Sequence, residues 1–408
     1  MENKKKLMGF LGTMIAIMFC MTGFTEVQGR DLLFVKDPAV QLTESALPSV
    51  VITRDLNGDH KEDLVVSNAG NGTISVLLSL GNGTFEMRKP IVVGVEPQGL
   101  ALGLINGDDI LDLVVTDTLL DIVTVMHGDG CGGFTKVQAL GETGEVGQYP
   151  HGVALGDLNE DTFLDLAVAS HDSDRVYVLF GKRNGIFDTG SVAEYLGDEQ
   201  DKRGCQSVHL SKINQDMHLD MVVGNLKTDY VSVLLGNGDG TFQTAVHSTA
   251  GQGTGRIILA ELDSLSGNMD LIVSNEEDNE NDITILKGNG DGTFHILTTY
   301  STGHRPVALV FEDFTQDGRK DLAVAHYGKF VVSSNEVSSN DLDITLLIGH
   351  DDGTFDESQT KRFRGGQQVW GMVSTDLNGD HIPDLAVASH ADSKINLLIN
   401  QSSPAKLE

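Results

Sequence analysis

The 408-residue sequence predicts an all-β fold, a seven-bladed β-propeller of four-stranded blades. Three observations lead there. An acidic motif recurs seven times, its last aspartate at 63, 112, 165, 220, 270, 321 and 384, a mean period of about 53 residues. Each copy runs into a short apolar stretch of one kind, such as 64-LVVSN-68, 166-LAVAS-170 or 385-LAVAS-389. The seventh repeat stops one strand short, while the start of the chain holds a spare one.

Within a repeat the elements follow in order. Strand a is an apolar run such as 152-GVALG-156 or 307-VALVF-311, and the acidic loop leads from it into strand b. A polar turn follows, then strand c, as in 231-VSVLL-235 and 283-ITILK-287. A Gly-rich turn ending in Phe comes next, as in 236-GNGDGTF-242, 288-GNGDGTF-294 and 349-GHDDGTF-355, and strand d begins there. Short β-branched runs bounded by Gly, Asn and Asp are strands. The last repeat ends after 395-INLLI-399, and 32-LLFVKDPAV-40 supplies Phe34 where other repeats carry the turn Phe. The N-terminal segment is therefore expected to complete the seventh blade and leave no open edge.

Composition agrees. Hydrophobic content of 40% supports a core, and 47 Gly against 8 Pro suits many tight turns. A net charge of -31 speaks against nucleic acid as a partner and fits a protein that gathers cations. Lys4, Lys5 and Lys6 precede an uncharged apolar run from Leu7 to Phe24. Residues 1–29 read as an export signal, or alternatively an N-terminal anchor, so the expected location is secreted, periplasmic or cell-surface. Residues 30–400 form one propeller and 401–408 a tail. Cys131 and Cys205 fall at different points of the repeat and are expected as unpaired thiols.

The acidic loops carry the clearest chemistry. Full copies are Asp55, Asn57, Asp59, Asp63; Asp157, Asn159, Asp161, Asp165; and Asp376, Asn378, Asp380, Asp384. Asp313, Thr315, Asp317, Asp321 is nearly full. Two carboxylates about 4 Å apart repel by roughly 4 kcal/mol at an effective dielectric near 20, so a compact loop calls for a cation. Places 1, 3, 5 and 9 offer side-chain oxygens, and a carbonyl near place 7 can complete a calcium shell. Gly58 and Gly379 ease the turn. Three to four calcium sites are expected, structural in role, with magnesium a poorer fit. The alternative is that these aspartates only order turns through backbone hydrogen bonds. Leu104 removes a ligand in blade 2, Lys212 could place an ammonium at the ion position in blade 4, and the loop at 261–270 is one residue longer than the others.

The D-x-N-x-D-x-x-x-D loop followed by G-N-G-D-G-T-F resembles the FG-GAP and VCBS repeats of integrin-α-like propellers, over nearly all of residues 31–400. The resemblance implies seven blades with calcium in the a–b loops. It implies no single ligand, since members of the family range from adhesion receptors to lectin-like binders and enzyme-attached domains.

In an up-and-down blade the a–b and c–d loops share one face, and the b–c and d–a loops share the other. The second face is expected to meet a glycan or protein ligand. His171, His326 and His390 open b–c loops there, and His151 and Trp370 stand at matched d–a places, with His304 and Arg305 nearby. Single histidines at strand ends also serve as turn formers, and Trp370 could plug the core. Three functions stay open: a monomeric, non-catalytic adhesion module; a polysaccharide lyase or hydrolase using His and Arg; and an envelope or matrix component. No GxSxG, HExxH, P-loop or dinucleotide fingerprint is present.

Overall fold

The computed structural model describes residues 34–190, 192–195, 204–263, 266–277, 282–328, 330–331, 336–337 and 343–402. The leader, the connection at 197–203, most of the enlarged loop at 328–341 and the tail beyond 402 lie outside the described residues. Seven antiparallel sheets follow one another, each with strand a at one edge. Blade 3 is typical: Pro150–Gly156, Asp165–Ser170, Arg175–Leu179 and Ala193–Tyr195 pair in sequence order. In blade 1 the outer strand is split into Phe85–Met87 and Ile91–Val92, both paired with Thr73–Ser79. In blade 7, Val369–Thr375, Asp384–Ser389 and Lys394–Asn400 are joined by Phe34–Gln41 from the other end of the chain. Phe34 pairs Asn400 there, as Phe134 pairs Gly128 and Phe294 pairs Gly288 elsewhere.

Strand b is buried along its whole length in every blade. Its alternate side chains face different neighbours: Leu64 and Val66 pack toward blade 7, and Val65 packs toward blade 2. This is why the runs are continuously apolar rather than alternating. The core is thus a set of layers, one between each pair of successive blades. The layer joining Leu64 and Leu77 to Leu377 and Ala386 seals blade 1 against blade 7. Cys131 is exposed, and Cys205 is buried with its Sγ 3.8 Å from Asn225 Oδ1. Among the described residues no helix is long and apolar enough to cross a membrane.

Strand a carries a β-bulge near its start in all seven blades. Hydroxyls on strand b hold several bulges in place. Ser67 Oγ accepts the Val50 N–H and donates to the Gln98 carbonyl of the next blade, and Thr116 does the same for Gly99 and His151. Successive inner strands are in backbone contact at these bulges: a Cβ at Gly152 would lie 2.8 Å from the Gln206 carbonyl oxygen.

Candidate functional site

The acidic loops are built by their own side chains. In blade 1 Asp55 Oδ1 accepts the N–H of Asn57 and Gly58, and Oδ2 accepts that of His60. Asn57 Oδ1 accepts the Asp59 N–H and Asp59 Oδ1 that of Lys61. The Asp157 and Asp376 loops repeat the scheme, with Thr162 and His381 bonded to the first aspartate. Place 4 takes a positive φ in all four full or nearly full copies, including Glu160 and Gln316 at 59°. Non-glycine residues hold that conformation only where the surroundings over-determine it.

The last aspartate has a distinct task. Asp63, Asp112, Asp165, Asp220, Asp270, Asp321 and Asp384 are all fully shielded from solvent. Each spans two segments: Asp384 Oδ2 accepts the Leu377 N–H at 2.9 Å, and Oδ1 accepts the Asn400 N–H at 2.7 Å. The same pair of bonds recurs in blades whose loops lack the first aspartate, as at Asp112 and Asp220. Place 9 is therefore a lock between the a–b loop and the end of strand c. Burial pushes the Asp165, Asp321 and Asp384 carboxyls up to about 6, with neighbouring aspartates adding to the effect.

Compensating charge differs between loops. Lys61 pairs with Asp59, and Arg319 joins Asp317 to Asp351. No lysine, arginine or histidine pairs with Asp157, Asp161 or Asp165 among the described residues. Lys212 is exposed and makes no ion pair with its loop, so blade 4 does not carry the built-in ammonium its sequence suggested. Blade 5 does. Lys287, at the end of strand c, reaches both Asp263 and Asp270. The matching place holds His127 in blade 2 but Leu78, Phe180, Ile348 and Ile399 in the four blades with full or nearly full loops. In blade 5 a base thus fills the loop from within, whereas blade 4, whose loop also lacks its first ligand, has Leu235 at the matching place. No group of three His, Cys, Asp or Glu side chains converges into a shell among the described residues, so any cation would also draw on Asn or Thr side chains and carbonyl oxygens.

On the opposite face the bulges set Ser49, Gln98, His151, Gln206 and Trp370 at matched places. Gln206 Nε2 lies 3.3 Å from His151 Nε2. Burial first, and the Arg256 charge second, hold His151 down to about 3 and His209 to about 4. Blade 5 has Gly255 at the matched place, and Glu276 folds into the room a side chain would take, with its Oε1 3.8 Å from Arg256 Nε. Glu276 is buried and its pKa raised, against the pull of Arg256 and Arg305. The Arg305 guanidinium lies 5.2 Å from the centre of the Tyr327 ring. Tyr327 meets Trp370 edge-on at 5.0 Å, and His390 lies 5.8 Å beyond. An arc of side chains therefore runs from His390 through Trp370, Tyr327, Arg305 and Glu276 to Arg256.

Other expected residues lie apart from the arc. His171 pairs with Asp172 beside Tyr149. His326 is buried at 3% exposure and bonded to Thr345 Oγ1, and His304 lies near it rather than near His151. His326 yields a pH test. Burial lowers its pKa to about 3, so the folded state resists a proton that the unfolded chain accepts near 6.5. Its stability contribution is full above pH 6.5 and is lost as pH falls toward 3. The raised carboxyls act in the opposite direction, so the comparison must isolate the imidazole. Denaturant unfolding of His326→Gln and the parent chain at pH 7 and pH 5 should show the variant gaining about 2 kcal/mol on the parent at the lower pH. An unchanged gap would mean that the ring titrates normally.

With this geometry in place, comparison with known proteins is informative. No match to a curated protein was found. A family profile for FG-GAP-like repeats matches residues 55–115 and 266–324, each reaching from one acidic loop through strand b of the next blade. The chain is a seven-bladed β-propeller that carries FG-GAP-like repeats. Solved structures share the propeller fold. BBS1N in complex with ARL6DN, soaked with lead, is 12% identical with a TM-score of 0.57, covering 92% of this chain and 99% of that one. An Agrocybe aegerita lectin that recognises non-reducing terminal N-acetylglucosamine is 17% identical with a TM-score of 0.53, covering 87% and 86%. A Lactobacillus plantarum protein is 16% identical with a TM-score of 0.50, covering 63% and 72%. At these identities the FG-GAP propeller shares with them its fold alone.

Proposed function

We propose that this FG-GAP propeller is an exported, calcium-stabilised, non-catalytic binding module that recognises a glycan through the face bearing its b–c and d–a loops. The fold is that of a binding module, and one structural neighbour is a lectin. The observation that carries the reading is the arc from His390 to Arg256, where aromatic rings and guanidinium groups meet at the mouth of the ring. Planar rings beside hydrogen-bonding groups suit sugars. Calcium is assigned to the loops at Asp55, Asp157, Asp313 and Asp376, where it would neutralise carboxylates and brace the strand a to strand b connection. Export rests on the lysine-led apolar leader. The module acts as a monomer.

The test is capture on an immobilised glycan panel in calcium buffer. Trp370→Ala should abolish capture, and Leu104→Ala, on an exposed a–b loop of the other face, should leave it intact. Capture that ignores Trp370, or no capture of any glycan, would remove the reading.

A further inference from the structure

The mouth of the ring holds polar atoms that the protein does not satisfy. Among the described residues, Ser49 Oγ, Gln98 Oε1, His209 Nε2 and Trp370 Nε1 are shielded and have no hydrogen-bond partner. They come from four different inner strands, and three of them sit at matched bulge places. Ser49 and Gln98 are more than nine-tenths buried. A buried polar atom without a partner costs about 1–3 kcal/mol, so four of them around one axis call for a polar occupant. The set is mixed. Trp370 Nε1 only donates, Gln98 Oε1 only accepts, and Ser49 and neutral His209 can do either. Hydroxyl groups, which donate and accept at one oxygen, match such a set, and a carboxylate alone does not.

The charge of the arc adds a second constraint. In a chain of net charge -31, Arg256 and Arg305 gather about one carboxyl, Glu276. Arg256 donates to the Val307 carbonyl through Nε, which leaves its terminal nitrogens available. Arg305 rests on Tyr327 and makes no ion pair among the described residues. The Arg256–Arg305 side of the mouth therefore carries positive charge beside hydroxyl-binding groups and two aromatic rings, while Glu96 stands on the other side next to Gln98 and His390.

We propose that the mouth binds the end of an acidic sugar chain, with a uronate carboxylate against Arg305 and Arg256, its hydroxyls on the unsatisfied atoms, and the sugar body against the Tyr327–Trp370 pair. This rests on the assignment of the loop face to glycan recognition and narrows its ligand.

Calorimetry on the full chain with trigalacturonate and neutral trigalactose tests it. The uronate should bind at least about tenfold more tightly, as expected for charge-assisted hydrogen bonds. Arg305→Gln, which removes no hydrogen bond within the protein, should erase that preference and leave neutral binding unchanged. Trp370→Phe keeps a ring but loses the N–H, and should weaken both ligands. Equal affinity for the two trimers, or uronate binding that survives both variants, would overturn the proposal. If panel glycans are captured through Trp370 but trigalacturonate does not compete, glycan recognition stands and the acidic-sugar assignment fails. Polyglutamate binding through Arg305 in place of the uronate would make the ligand an acidic peptide and would also overturn it.

Discussion

Calcium should raise the unfolding midpoint of the propeller by on the order of 10 °C, and magnesium by much less. A site held at a hundredfold over its Kd adds about 2.7 kcal/mol, and three such sites add about 8 kcal/mol to a domain that unfolds as one unit. The Asp157 and Asp376 loops should contribute most. Asp161 and Asp380 have no lysine or arginine beside them, whereas Lys61 and Arg319 already engage Asp59 and Asp317. Asp380→Ala should remove one share of the calcium effect and cost little in chelator, because its carboxylate lies in the exposed part of the loop. Thermal unfolding in calcium, in magnesium and in chelator reads all of this. Identical midpoints would mean that places 1, 3 and 5 only order the turns.

Asp384→Ala should cost about 3 kcal/mol or more, with or without calcium. The carboxylate holds the Leu377 and Asn400 N–H groups in a site closed to water. Hydrogen bonds to a charged group contribute about 1.5–3 kcal/mol each, and both donors would be left buried and unpaired. The raised pKa shows that burying this carboxylate is itself unfavourable, which keeps the estimate at the lower end. Asp384→Asn should not rescue the loss. Both oxygens are in use, and an amide would set its own N–H₂ against a backbone donor. Denaturant unfolding of the two variants decides it, and an asparagine variant as stable as the parent would show that one acceptor is enough.

The blades were legible because they are local. Turn chemistry and apolar runs repeat along the chain, and even the matched places of Gln98, His151, Gln206 and Trp370 appear in a simple alignment of repeats. Features that depend on burial or on contact across strands were not. Spacing alone treats places 1, 3, 5 and 9 as equals, yet Asp63 is sealed beneath the loop and Asp59 is at its surface. Lys287 stands far along the chain from Asp263, although a base in a column of mostly apolar residues was a visible signal. Glu276 enters the mouth only because Gly255 has no side chain. His171 and His390 follow strand b, whereas His326 is its last residue, at the place of Ser170 and Ser389, and Tyr327 takes the place of the other two histidines in blade 6. His326 turns inward to Thr345, where blade 7 has Asn396 bonded to the Gly365 carbonyl and blade 3 has Tyr177.

Because Phe34–Gln41 pairs, among the described residues, only with Lys394–Asn400, an early strand of the ring has no partner until the last one is made. At about 5–20 residues per second, more than 350 residues must follow before the two can meet, a wait of roughly 20–70 s. The middle blades can fold in that interval, but the ring cannot close. A nascent chain held in this way stays an open arc of folded blades. The last seven residues of the ring, Lys394–Asn400, thus act as a clasp in time as well as in space, deferring the rigid form until they have been made.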